Sequence, residues 1–244
     1  MNRLQGRHAI ITGAASGIGR ATALLFRDEG AKVLAVDQPG SPLGELEGVA
    51  TLEQDVTTPD AAARMFSEAM KTLGAVDTLV NNAGVGIWAK PEDTTDAIWE
   101  KTFSVNVDAP FRLCRAALPL LRAHPGRARV VNVGSVMSSR TDKGLVAYTA
   151  SKHAVAGMTK ALALDWGPHG INLNYVMPGA IFTGMTRASF EDAGIRKIWE
   201  KKSPLRRVGD PIEVARAILF LASDDASFIT GTGLLVDGGL LLRT

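Results

Sequence analysis

Tyr148 and Lys152 stand four residues apart in a segment of helical periodicity, so their side chains share one helix face. The pair suits proton transfer. A free phenol titrates near pH 10, too high for an efficient base at neutral pH. Lowering it by ~3 units takes about 4 kcal/mol of preferential phenolate stabilisation, the order that one ammonium at ~4 Å supplies at an effective dielectric near 20. Ser135, at the end of a β-branched run upstream of the tyrosine, brings a hydroxyl donor to the same neighbourhood.

A second pattern is built for phosphate. Thr12-Gly13-Ala14-Ala15-Ser16-Gly17-Ile18-Gly19 follows the first β-branched run and opens the first helical one, with the spacing G-x-x-x-G-x-G. Gly13 permits a tight turn, Gly17 lets backbone approach a pyrophosphate, and Gly19 allows close helix–strand packing; the helix N-terminus offers free N–H groups. Asp37, at the end of the second strand candidate, stands where an acidic side chain bonds an adenosine ribose, or is otherwise a simple turn carboxylate. A 2′-phosphate would set roughly two negative charges beside it, each like-charge pair at ~4 Å costing about 4 kcal/mol before screening. A quarter of that is worth roughly tenfold in affinity. The neighbours Ser16 and Gln38 are uncharged, and Arg20 is the one cation in the first helical turn. NAD(H) is therefore expected rather than NADP(H).

An alternating fold must position these groups. Apolar, β-branched runs at 8–12, 32–36, 49–53, 77–81, 129–134, 171–176 and 234–236 predict strands, several apolar throughout as in strands buried on both faces. Helical patterns cover 17–29, 60–73, 95–122, 147–167 and 211–222, with Asp60 as an N-cap, Gly30 and Gly74 past helix ends, and Pro211 in a first turn. The alternation predicts an α/β fold: a single Rossmann-type, doubly wound, seven-stranded parallel sheet with helices on both faces. No linker, repeat or composition shift divides residues 1–244, so one dinucleotide-binding and catalytic domain is expected. A polar loop at 140–146 and an insertion at 178–203 break the alternation. Each follows a strand, and each is either a cover over the crevice at the strands' carboxyl ends or an ordinary surface loop. The substrate-covering part is placed at about 180–203.

Composition narrows the classes. With 46% hydrophobic and 21% charged residues, the chain is neither disordered nor, lacking a three-residue glycine period, collagen-like. No apolar run approaches ~20 residues and positions 1–8 carry no leader-like apolar stretch, so neither membrane nor secretion is expected. The 27 basic and 25 acidic residues are interspersed, with no arm for nucleic acid. The single Cys114 makes no internal disulfide, and His8, His124 and His169 show no ligand spacing, so no metal is expected. His153 follows Lys152 but faces another way around the helix. Cys114 reads as a small buried side chain in a cytoplasmic, reducing setting.

These residues resemble the classical short-chain dehydrogenase/reductase (SDR) family over essentially the whole chain. Besides the glycine turn, the sequence carries Asp55-Val56, Asn81-Asn82-Ala83-Gly84, Asn106, Ser135, Tyr148-x-x-x-Lys152 and Pro178-Gly179 in that family's order and separations. The resemblance implies an NAD(H)-dependent oxidoreductase interconverting a secondary alcohol and a ketone. In it Tyr148 exchanges the hydroxyl proton while hydride moves between carbinol carbon and nicotinamide. Lys152 stabilises the phenolate and holds the nicotinamide ribose, and Ser135 bonds the substrate oxygen. Asn106 is implied as the anchor of a water relay to the lysine, or else is a local backbone partner. Asp55 and Val56 are implied at the adenine ring, and Asn82, Ala83 and Gly84 beneath the cofactor. Pro178 and Gly179 are implied beside the nicotinamide and Thr183 near its carboxamide. Ser16, Ile18 and Ile181 complete the cofactor set. Residues 204–239 are similar to the region through which family members commonly pack as homotetramers.

For the substrate, Trp88, Met137, Leu145, Phe182 and Met185 join Ser135 and Tyr148 as expected walls, with Ser138 and either Ile198 or Trp199. This mostly apolar set suits a small-molecule alcohol or ketone of moderate bulk. Arg140 and the basic stretch 196–202 either receive an anionic substrate or carrier protein, or form a solvated helix face. The carrier-protein option defines one alternative, a 3-oxoacyl-(acyl-carrier-protein) reductase. Against it stand Asp37 and the missing Arg-Asp pair, where this chain reads Val85-Gly86-Ile87-Trp88-Ala89-Lys90. The other alternative, a non-catalytic nucleotide-binding scaffold, is opposed by the complete Ser, Tyr and Lys set. Trp99, Phe103 and Phe111 are expected in core or subunit packing.

Overall fold

In the computed structural model, which describes residues 2–242, the β-branched runs form seven strands. They are β1 His8–Thr12, β2 Lys32–Asp37, β3 Ala50–Glu53, β4 Thr78–Asn81, β5 Arg129–Val133, β6 Asn172–Pro178 and β7 Gly233–Val236. All pair in parallel, in the order β3-β2-β1-β4-β5-β6-β7. The helices are α1 Gly17–Asp28, α2 Ala61–Leu73, α3 Asp96–Phe103, α4 Ala109–Arg122, α5 Val146–Trp166, α6 Arg187–Glu191, α7 Ala193–Lys202 and α8 Pro211–Ala222.

The two-residue period of the strands divides the core. Ile10, Leu34, Leu79 and Val130 point to one face, where Met65 and Ala69 of α2, Leu113 and Leu121 of α4, and Trp166 of α5 cover them. Their neighbours Ile11, Ala35, Val80 and Val131 point to the other, against Phe26 of α1 and Val214 and Ile218 of α8. This is the doubly wound sheet expected. The winding reverses between β1 and β4, opening a crevice at their carboxyl ends. Among the described residues no helix is long and apolar enough to cross a membrane.

Local signals held unevenly. Gly30 and Gly74 take left-handed conformations past their helices, and Asp210 and Glu213 cap α8 reciprocally around Pro211. Asp60 does not cap α2: it is already helical, and its carboxylate accepts from Thr58 Oγ1 instead. The pattern at 95–122 is not one regular helix; α3 and α4 are separated by a π-helical turn, Ser104–Asp108. The insertion holds two helices, α6 and α7, the second capped by Asp192. Cys114 is fully buried, whereas Trp99 and Phe111 are not core residues, being 41% and 42% exposed. Trp99 stacks on Phe103 one turn along α3.

At the amino end of the sheet, Arg7 and Arg129 are buried side by side and share Asp224, at 2.5 Å and 3.6 Å. Desolvation holds both guanidinium pKa values below normal, against the pull of Asp77 and Asp224. Asp224 is itself largely exposed, so solvent discounts the pairing. Asp224→Asn should cost about 1–2 kcal/mol, seen as a Tm lower by a few degrees. An unchanged Tm would show that Asp77 alone suffices.

Candidate active site

Beyond the carboxyl ends of β1, β4, β5 and β6 lies a cleft of about 520 Å³. The glycine turn forms one wall. Gly13 has φ +65°, and a Cβ there would fall 2.8 Å from Asn82 Nδ2. That closeness is a clamp: Asn82 Nδ2 donates to the carbonyls of Thr12 and Gly13, while the Asn82 and Ala83 N–H groups both reach Thr12 Oγ1 at 3.0 Å. Gly19 lies outside the cleft lining and serves packing, since a Cβ on it would sit 2.0 Å from the Gly13 carbonyl oxygen. Gly19→Ala should therefore displace the turn and weaken nucleotide binding at least tenfold by titration calorimetry; unchanged binding would remove the turn from the site. The α1 N-terminus carries no side-chain cap, so its first N–H groups are left for an anion.

Asp37 is fixed at the far end of this wall. One carboxylate oxygen accepts from the Ala15 N–H at 2.8 Å, and the other from the Gln38 N–H and Ser41 Oγ. Arg20 pairs outward with Glu45 at 3.6 Å. Asp55 accepts from the Thr57 N–H and hydroxyl, which hold its carboxyl below the usual range. An uncapped helix start, a glycine turn and a ribose-height carboxylate in one cleft fit a dinucleotide.

Ser135, Tyr148 and Lys152 meet at the inner end of the cleft. The Lys152 ammonium donates to the Val133 carbonyl at 2.9 Å and lies 5.6 Å from the Tyr148 ring centre. Burial pushes Lys152 down to about 8. It also pushes the Tyr148 phenol up, opposed by a hydrogen bond with Ser135. The expected lowering of the phenol is thus not seen among the protein's own groups: desolvation outweighs the Ser135 hydrogen bond. Ser135 is held in turn: its Oγ accepts from the Met137 N–H, and its own N–H donates to Ser138 Oγ.

The Lys152 shift carries a stability cost with a defined sign. A lysine whose folded pKa lies below its unfolded value costs nothing above pH ~10.5, and the cost grows as pH falls to about 8. Below that it is complete, of order 3 kcal/mol. Lys152→Met should therefore raise Tm more at pH 7 than at pH 10 while turnover is lost. Equal shifts at both pH values would show the ammonium to be well solvated.

Asn106 sits in the π-helical turn, accepts from the Val85 N–H, and donates to the Val85 carbonyl and Ser151 Oγ. It is off the cleft wall and ties the loop after β4 to α5. His153 faces away from the cleft, its ring bonded to the Thr149 carbonyl.

Of the other expected cofactor residues, Ser16, Gly17, Ile18, Val56, Gly84, Pro178, Gly179, Ile181 and Thr183 line the cleft. Of the expected substrate walls, Met185 does so, whereas Met137, Leu145, Trp88 and Phe182 do not. Met137 is buried beneath Leu145 and Tyr148, Trp88 is 66% exposed with its indole N–H on the Lys143 carbonyl, and Phe182 stacks on Phe190. Sequence reasoning missed Gln54, Val85, Lys101, Val105, Val133, Gly134, Gly184 and Thr186. Most directly follow or precede motif residues at strand ends, which was the available signal; Lys101 and Val105 arrive from α3 and the π turn, and had none.

A fold and cleft of this kind define a nucleotide-binding oxidoreductase class, and the comparisons agree. The family model described as enoyl-(acyl carrier protein) reductase matches residues 13–241. The 3-oxoacyl-(acyl-carrier-protein) reductase FabG of Thermotoga maritima is 39% identical, over 98% of this chain and 100% of that protein. The NAD-dependent glycerol dehydrogenase of Listeria innocua is 35% identical, over 96% and 94% of the two chains. The ligand-free aldohexose dehydrogenase of Thermoplasma acidophilum superposes with a TM-score of 0.93 at 38% identity, covering 100% of this chain and 97% of that one. The chain belongs to the short-chain dehydrogenase/reductase family.

Proposed function

We propose that the protein is an NAD(H)-dependent oxidoreductase that interconverts a secondary alcohol and a ketone, with Tyr148 as the acid/base. One observation carries this: Ser135, Tyr148 and Lys152 converge at one end of a cleft whose other end holds Asp37. The glycine turn, the α1 N-terminus, Asp55, Val56, Asn82, Ala83 and Gly84 would hold the dinucleotide's phosphates and adenosine. Lys152, Pro178, Gly179, Ile181 and Thr183 would hold its nicotinamide end. When bound, the nicotinamide supplies the hydride acceptor or donor. Tyr148 Oη takes the alcohol proton during oxidation and returns it during reduction. Ser135 Oγ, which accepts from the Met137 N–H and bonds Tyr148, would turn its proton to the substrate oxygen, a bond that strengthens as alkoxide charge grows. Protonated Lys152 opposes the desolvation that raises the phenol.

Asp37 favours NAD(H), since Arg20 is engaged with Glu45 and, among the described residues, no cation pairs with Asp37. A single domain with a covering segment at about 180–203, a cytoplasmic location and a homotetramer belong to the same proposal. Exposed Leu164, Phe228 and Leu235 are compatible with subunit contacts. The Thermotoga relative's name favours a second reading, reduction of a carrier-bound 3-oxoacyl group. Absorbance at 340 nm with NAD⁺ or NADP⁺ and a panel of alcohols tests the choice. NADH formation is expected; activity confined to NADP⁺ would overturn the Asp37 argument, and activity confined to β-ketoacyl thioesters would favour the second reading.

A further inference from the structure

Resting on that oxidoreductase reading, we infer that Lys101 is a further dinucleotide-binding residue, the cation that draws the cofactor's anionic diphosphate into the cleft against the repulsion of two carboxylates. Among the described residues, the charged side chains that line the cleft are Asp37, Asp55, Lys101 and Lys152. Asp37 and Asp55 are half-buried and face the same space. Lys152 is 5% exposed and bonded to the Val133 carbonyl, whereas Lys101 is exposed. An anion arriving from solvent therefore meets two carboxylates and, of the lining cations, Lys101 first.

Lys101 is not spent elsewhere. Its neighbours along the helix face are Ala97, Ile98, Ser104 and Val105, none of them acidic. Val105 lines the cleft as well, so this face is turned towards it. Among the described residues the Lys101 ammonium has no hydrogen bond or ion pair. The Asp55 carboxyl is held below the usual range first by the Thr57 N–H and hydroxyl, against desolvation, and further by the attraction of Lys101. The other basic groups around this end are engaged, Arg20 with Glu45 and Arg112 with the Thr57 carbonyl at 3.5 Å, and neither lines the cleft. Attraction between an exposed ammonium and a diphosphate acts before contact, so it marks the association rate and fades with salt.

Stopped-flow binding of NADH, followed by its fluorescence, tests this without turnover. At about 20 mM salt, Lys101→Met is expected to lower kon about threefold and to raise Kd about fivefold. Lys101→Glu should go further in the same direction, to about tenfold in kon, and Lys101→Arg should stay within about twofold of the wild type. At about 500 mM salt all of them should converge to within about twofold. Ordering by charge and collapse in salt are readouts that a merely structural role does not move. Three results would each overturn the inference while NADH binding by the wild type keeps the oxidoreductase reading: equal kon for wild type and Lys101→Met at low salt, a loss undiminished at high salt, or Lys101→Arg behaving as Lys101→Met. A wild type that binds no NADH would overturn that reading and this one together.

Discussion

Tyr148→Phe is expected to lower kcat for alcohol oxidation by about 10³-fold while NAD⁺ binding stays within twofold. The phenyl ring keeps the packing against Met137 and Leu145, so the change removes the hydroxyl and little else. Among the described residues no substitute base stands near: Lys152 is bonded to the Val133 carbonyl, Ser135 has no base of its own, and His153 faces away. Stopped-flow traces with saturating alcohol measure the chemical step, and calorimetry measures the cofactor. More than a tenth of the wild-type rate would exclude the phenol as base. The oxidative rate should also rise with pH, because burial holds the phenol above its ordinary value.

Replacing Asp37 and Gln38 together, by Ser and Arg, should move the NAD⁺/NADP⁺ ratio of kcat/KM by about 10³-fold towards NADP⁺. Two effects add. Removing the carboxylate relieves repulsion worth roughly tenfold or more. A guanidinium beside the 2′-phosphate contributes a charge-assisted pair of about 1.5–3 kcal/mol. Asp37 also accepts from the Ala15 N–H and Ser41, so activity with NAD⁺ should fall through a looser glycine turn. Asp37→Asn removes the charge while its amide oxygen keeps one of the two accepting sides, towards Ala15 or towards Gln38 and Ser41. If Asp37→Asn leaves the ratio where it was, charge at this position does not choose the cofactor.

Much of the architecture was legible because it rests on short-range pattern. Apolar β-branched runs fixed the strands to within a residue or two at most ends, and glycine spacing located the turn at the crevice. The Asn-Asn-Ala-Gly stretch stood out by its resemblance, and the structure shows what Asn82 touches, a side-chain clamp on the turn's carbonyls. What stayed hidden depends on third-dimension choices. Met137 and Phe182 are apolar residues next to motif positions, and nothing in their type tells a cleft wall from the layer beneath it. Lys152's loss of basicity comes from burial, which a Tyr-x-x-x-Lys spacing does not encode. Lys101 and Val105 come to the cleft from α3 and from the π turn, and neither residue type announces it.

The change of winding between α3 and α4 is an economy of phase. A residue more or less in a helix turns everything beyond it by about 100°. The π-helical turn at Ser104–Asp108 absorbs one such step, so that α3 and α4 lie in one rod yet answer to different neighbours. Asn106 is the residue the rod releases sideways, and its amide engages both ends of the Val85 peptide as a strand partner would. Deleting one residue here would restore uniform winding and swing α3 out of step with the cleft. The irregularity is therefore a joint, fixed at an angle that a regular helix does not offer.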